Sequence, residues 1–177
     1  TYTYDAAGNL TSQIDALKNE TKYEYSLGGK LLSITDANKN KTSYKHTENL
    51  TDIKVVDRTT PQGKKYSSQF DKNMNLIKSQ TPKNTLITEY DKRNSVSKIY
   101  PSTNPTALST YTYNVLGSTT ALTKSDFGTI KNEFTTNGLL SKEDGPSAYD
   151  DIAYTYDTNG TRTKIEDKDK TATGYSY

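Results

Sequence analysis

Tyr2-Thr3-Tyr4-Asp5-Ala6-Ala7-Gly8-Asn9-Leu10 opens the chain, and the way it returns decides the fold. It recurs as Tyr23-Glu24-Tyr25-Ser26-Leu27-Gly28-Gly29-Lys30-Leu31, as Tyr111-Thr112-Tyr113-Asn114-Val115-Leu116-Gly117 and as Tyr154-Thr155-Tyr156-Asp157-Thr158-Asn159-Gly160. Looser copies lie between them: Phe70-Asp71-Lys72-Asn73-Met74-Asn75-Leu76, Tyr90-Asp91-Lys92-Arg93-Asn94 and Phe134-Thr135-Thr136-Asn137-Gly138. The second aromatic slot therefore holds Tyr4, Tyr25, His46, Phe70, Tyr90, Tyr113, Phe134, Tyr156 and Tyr177, at spacings of 21, 21, 24, 20, 23, 21, 22 and 21. A nearly fixed period of this length is the signature of a repeat array.

Each unit reads as two short strands and two turns. Aromatics two apart put both rings on one face of a sheet, with the residue between them on the other. In the Asp-x-x-Gly that follows, Asp5 or Asp157 can bond nearby backbone, and Gly8 or Gly160 can take a positive φ. A second strand starts at a leucine slot filled by Leu10, Leu31, Leu50, Leu76, Val96 and Leu140, with Thr119 and Arg162 as departures. Three residues further on stand Ile34, Ile53, Ile99, Leu122 and Ile165. A spacing of three does not suit a flat strand, so either a bulge shifts the register or the two apolar rows face opposite sides. A second polar turn, such as Asp36-Ala37-Asn38-Lys39-Asn40-Lys41, leads to the next aromatic pair. The result is a meander of hairpins without helix. The third unit lacks the glycine and predicts a shorter turn, while Thr59–Gly63 and Pro101–Pro105 predict longer return loops.

Composition supports a thin structure. Hydrophobic residues are 31% of the 177, and 15 residues are Tyr. Mean hydropathy is −0.92. Regularly placed aromatics and a net charge of only +2 argue against disorder. One unit cannot bury enough surface to stand alone, so neighbours must stack in a quasi-one-dimensional way. No insertion resembles a linker, and residues 1–177 are expected to form one repeat array. Both ends fall inside a repeat, as if cut from a longer chain.

The motif Tyr-x-Tyr-Asp-x-x-Gly-Asn-Leu with its polar Asp-Ala-x-x-Asn turn resembles the YD repeat of the rearrangement-hotspot (RHS) family. That family includes bacterial wall-associated proteins and polymorphic toxins. The resemblance covers essentially the whole chain. It implies an all-β array of antiparallel hairpins whose sheet spirals into part of a hollow shell, secreted or at the cell surface. It implies as partners the rest of that shell and an enclosed toxin, with a scaffold role and no enzymatic one. The residues that carry it are Tyr2, Tyr4, Asp5, Gly8, Leu10, Tyr23, Tyr25, Gly29, Leu31, Phe70, Asp71, Leu76, Tyr90, Asp91, Tyr111, Tyr113, Gly117, Phe134, Gly138, Tyr154, Tyr156, Asp157 and Gly160. Lys- and Asn-rich, Arg-poor usage points to an AT-rich Gram-positive source.

Little in the chain suggests catalysis. His46 is the one histidine and fills an aromatic slot, and there is no cysteine. Ser-His-Asp, Cys-His and His-based metal sites are therefore unsupported, and no cofactor is expected. The carboxylate neighbours Glu143-Asp144, Asp150-Asp151 and Asp167/Asp169 read as solvated turn charges. Lysines are spread along the array, without the basic stripe of a nucleic-acid groove. No apolar run is long enough to span a membrane. The competing reading is a cell-wall or carbohydrate module using rows of Tyr, against which the absence of Trp counts.

Overall fold

The computed structural model describes residues 1–48, 53–147, 151–167 and 172–174. Leu50, Asp150, Asp169 and Tyr177 lie outside the described residues. The chain forms two compact units, Thr1–Leu86 and Ile87–Tyr177. All regular structure among the described residues is β.

The first unit contains β1 (Tyr2–Tyr4), β2 (Leu10–Ile14), β3 (Glu20–Tyr25), β4 (Leu31–Thr35), β5 (Lys41–Glu48), β6 (Lys54–Thr59), β7 (Lys65–Phe70) and β8 (Leu76–Gln80). Each pairs antiparallel with the next, an up-and-down meander. Strand β9 (Thr85–Tyr90) runs across the boundary between the units. The second unit continues with β10 (Val96–Pro101), β11 (Ser109–Tyr113), β12 (Thr119–Lys124), β13 (Gly128–Phe134), β14 (Leu140–Asp144), β15 (Ile152–Tyr156), β16 (Arg162–Asp167) and β17 (Ala172–Gly174). It pairs in the same consecutive way from β10 onward.

The strands that follow the aromatic turn start at the leucine slot: Leu10, Leu31, Leu76, Val96, Thr119, Leu140 and Arg162 are all first residues of strands. A bulge accounts for the spacing of three. Tyr25 pairs with Leu31 and Tyr23 with Ile34, so three residues on one strand face four on the other. The same shift separates Tyr113↔Thr119 from Tyr111↔Leu122, and Tyr156↔Arg162 from Tyr154↔Ile165. Leucine slot, isoleucine slot and both rings thus share one face.

The third unit departs from this scheme, and two expectations about it are corrected. Strand β5 is eight residues long and pairs with β6 through six successive residues without a bulge, from Ser43↔Thr59 to Glu48↔Lys54. Here Val56, not Leu50, stands opposite His46, and Ile53 precedes the strand. The loop after Thr59 is not lengthened: Thr60 N–H bonds Lys64 O and Gly63 N–H bonds Thr60 O, the ordinary five-residue closure. The period of 24 comes from a longer hairpin. Pro101–Pro105 does lengthen its loop, through two consecutive turns closed by Asn104 N–H to Pro101 O and Ala107 N–H to Asn104 O.

No apolar side chain among the described residues is fully buried, and Ser33, at 1% exposure, is the one buried residue. Aromatic strands alternate half-buried and exposed positions: Tyr154 and Tyr156 are half-buried, Ala153 and Thr155 exposed. Cross-strand pairs and backbone ladders, not a core, hold such a strip together.

Candidate functional site: two ladders that join unit to unit

The first ladder is built at the turns. Asp5 N–H bonds Asn9 O, and Gly8 N–H bonds Asp5 O. The Asp5 carboxylate closes the loop: Oδ1 accepts from Ala7 N at 2.9 Å and Asn9 N at 2.8 Å, and Oδ2 accepts from Asn9 Nδ2 at 2.9 Å. The chain then passes through the left-handed region at Gly8, φ 84°. This is the three-residue hairpin loop, a tight turn followed by a left-handed residue.

The return turns, on the other edge of the strip, use the same device. Asp15 Oδ1 accepts from Leu17 N and Asn19 N, and Asp36 Oδ1 accepts from Asn38 N and Asn40 N. In both, the second oxygen accepts the Asn side-chain amide at 2.9 Å. The left-handed residue there is Lys18 (φ 64°) or Lys39 (φ 63°), not glycine. Met74 and Asn94 occupy that place after Asp71 and Asp91. Donated bonds hold these carboxyls below their ordinary range. At Asp5, Asp15, Asp36 and Asp71 the Asn amide contributes most, and at Asp91 the Ser95 backbone N–H does.

The second ladder runs between units on the aromatic face. Tyr113 OH donates to Val96 O at 2.8 Å, and Tyr156 OH donates to Leu140 O at 2.8 Å. Val96 and Leu140 fill the leucine slots of the preceding units. His46, in the same aromatic slot, places Nε2 2.7 Å from Leu31 O. A carbonyl only accepts, so this nitrogen carries the proton, and His46 does what the tyrosine hydroxyl does elsewhere. Phe134 has no hydroxyl. Two residues earlier on the same face, Asn132 Nδ2 donates to Thr119 O at 3.0 Å, the leucine-slot carbonyl of that unit. Asn132 Oδ1 remains buried without a partner.

On the opposite face the polar residues between the rings pair across strands. Glu24 Oε2 accepts from Lys41 Nζ at 2.9 Å and Ser33 Oγ at 2.6 Å. Both bonds lower the Glu24 carboxyl, the lysine more. Glu89 is lowered by Lys98 and then by the Tyr100 hydroxyl. Burial of Ser33 removes its hydroxyl from any substrate.

The remaining sequence-predicted residues stand in turns or in strands. Gly29, Gly117, Gly138 and Gly160 are left-handed turn residues with φ between 74° and 85°. Asp157 closes its turn by accepting from Asn159 N and Thr161 N. Tyr2 and Tyr4, in the first strand, are 59% and 61% exposed. Phe70 pairs with Leu76, and Tyr90 ends β9. Among the described residues no group of three or more His, Cys, Asp and Glu could hold a metal ion, and no helix is long and apolar enough to cross a membrane. Glu143 and Asp144 are successive residues of β14, and Asp144 lies 3.8 Å from Lys142.

Comparison with known proteins agrees with this geometry. Residues 4–41, which hold turns of both kinds, match the family model described as RHS Repeat. Residues 4–41 thus carry the RHS repeat. No curated protein matches. Among solved structures, the chain is similar to that of TcdB2-TccC3, at 13% identity with a TM-score of 0.75, over 97% of this chain and 11% of that one. It is also similar to TcdB2-TccC3-TEV, at 14% identity and TM-score 0.57, over 100% of this chain and 12% of that one. A third likeness is to the Tc holotoxin pore of Photorhabdus luminescens, at 14% identity and TM-score 0.54, over 95% and 11%. At these identities the likeness concerns the fold. The chain spans about a ninth of the length of the solved chains it resembles.

Proposed function

We propose that residues 1–177 serve as a non-enzymatic stretch of wall in a larger, exported RHS-type shell that encloses a toxin-type cargo. The observation that carries this reading is where the polar groups of each unit go. Tyr113, Tyr156, His46 and Asn132 each bond a carbonyl of the preceding unit, and turn carboxylates bond their own loops. His46, the one histidine, is committed to such a bond, and the Ser33 hydroxyl is committed to Glu24. The likeness of nearly the whole chain to part of TcdB2-TccC3 supports the same reading. The signature residues from Tyr2 to Gly160 then act as fasteners of the wall.

The chain has no cysteine, which gives a direct test. Ala153 and Arg162 are exposed and lie on opposite faces of one hairpin, since Arg162 pairs with Tyr156. Ala153→Cys and Arg162→Cys variants of the whole natural polypeptide are treated with a small maleimide and with a large polyethylene-glycol maleimide. A wall predicts that both react with the small reagent and that one is shielded from the large one. Equal reaction of both with the large reagent overturns the proposal.

A further inference from the structure

The aromatic face of the first unit is interrupted at one place. Where Tyr23 faces Ile34, Tyr111 faces Leu122 and Tyr154 faces Ile165, the fourth unit has Ser68 facing Ser79. Exchanging a large ring and a branched chain for two hydroxymethyl groups leaves a hollow of about 280 Å³. Its walls include Tyr44, Val56, Arg58, Tyr66, Ser68 and Ser79. Beside it Arg58 is paired with Tyr44 on one side and Tyr66 on the other, so the three side chains share the face. The guanidinium carbon sits 4.2 Å from the centre of the Tyr66 ring.

The stacking orients the guanidinium without neutralising it. Among the described residues of Thr1–Leu86, the lysines that make ion pairs use Glu20, Glu24 and Glu48. Among the described residues no carboxylate pairs with Arg58, and its neighbour Asp57 projects to the opposite face. A planar cation held over a ring with its fork free suits a carboxylate, which it can hold by two parallel bonds. The Tyr44 ring and Val56 offer an apolar wall, and Ser68 and Ser79 offer hydroxyls. The volume equals that of roughly nine waters, room for one six-membered ring and not for an extended side-chain cluster.

We propose that this hollow is a binding site for a single sugar-acid residue, a polyhydroxylated ring bearing one carboxylate, at the end of or within an acidic glycan. The carboxylate meets Arg58, the ring's C–H face lies on Tyr44 and Val56, and its hydroxyls meet Ser68 and Ser79. The site is separate from the wall role, since none of these six residues makes the bonds between units described above.

The test is a two-dimensional NMR titration of the chain with trigalacturonate at about 150 mM salt, where loose attraction between surface charges is largely screened. Neutral maltotriose and triglutamate serve as comparison ligands. Saturable shifts confined to residues around Ser68 and Ser79, seen with trigalacturonate and not with the other two, are the expected result. Arg58→Gln is expected to weaken binding by about tenfold or more. The double change Ser68→Tyr with Ser79→Ile, which rebuilds the pair seen at Tyr23 and Ile34, is expected to abolish binding while leaving the fold's spectrum intact. Three results overturn the proposal: no saturable shift with trigalacturonate, equal binding of triglutamate, or unchanged binding after refilling the hollow.

Discussion

Removing one hydroxyl at Tyr113 isolates the bond between units. Tyr113→Phe leaves the ring, the strand and the turn in place and deletes the donor that sits 2.8 Å from Val96 O. Burial holds the Tyr113 hydroxyl above its ordinary pKa, so water is partly excluded there and reaches the abandoned carbonyl poorly. The expected loss is about 1 kcal/mol, the usual net value of one intramolecular hydrogen bond, rising toward about 2 kcal/mol to the extent that the carbonyl is stranded. At this chain length each kcal/mol corresponds to roughly 2–4 °C in Tm. The internal control is Tyr111→Phe: Tyr111 lies two residues away on the same face, and no hydrogen bond of its hydroxyl ties it to another unit. Urea unfolding followed by far-ultraviolet circular dichroism should show Tyr113→Phe and Tyr156→Phe shifted alike and Tyr111→Phe close to wild type. His46→Tyr should hold its stability, whereas His46→Phe should lose about 1 kcal/mol. If Tyr113→Phe unfolds with wild-type Tyr111→Phe-like stability, or His46→Tyr is as damaged as His46→Phe, the ladder of slot rings does not join the units.

Four further outcomes follow from the turns and from Asn132. Lys39→Gly should stabilise by up to about 1 kcal/mol because φ 63° strains any side chain, whereas Gly117→Ala at φ 85° should lose about that much; paired urea midpoints decide it. Gly128→Ala should cost roughly 2 kcal/mol or more, since its φ is 105° and an added Cβ would come within 2.7 Å of Pro146. The Asp36 carboxyl is depressed below its unfolded value of 3.8, so its contribution is complete above that pH and is lost as the pH falls through the folded value. Tm measured from pH 6 down to about 2 should therefore fall less steeply in Asp36→Asn than in wild type, and parallel curves would count against the Asx closure. In an Asn132→Ala background, Phe134→Tyr should recover about 1 kcal/mol by supplying a hydroxyl to Thr119 O, a gain absent when Asn132 already occupies that carbonyl.

Much of the hairpin meander was legible in the sequence because the turn chemistry and the aromatic pairs repeat. Tyr23 and Tyr25 two apart, against Leu31 and Ile34 three apart, posed the mismatch that the bulge in the register resolves. Periodicity alone left that choice open, since only the pairing of two strands reveals which one carries the extra residue. The third unit was misread because the template was anchored on a leucine slot at Leu50, whereas longer ladders moved the strand to Lys54–Thr59. The return turn was seen as polar but not as a copy of the first. Its signal was Asp followed four residues later by Asn, at Asp15 and Asn19 and at Asp36 and Asn40, with a lysine where the motif has glycine. The role of His46 could not be read from its slot, because a donor needs its acceptor and Leu31 O lies fifteen residues back. The exchange of Ser68 and Ser79 for a ring and a branched chain looked like decay of the motif until the register set them face to face.

The wall reading is tested most directly by cryo-electron microscopy of the whole natural polypeptide that contains residues 1–177. As part of a wall, these residues should appear as successive hairpins continuous with a larger sheet, one face turned toward an enclosed cavity. Density showing them as a free-standing appendage, bordering no enclosure on either face, would contradict it.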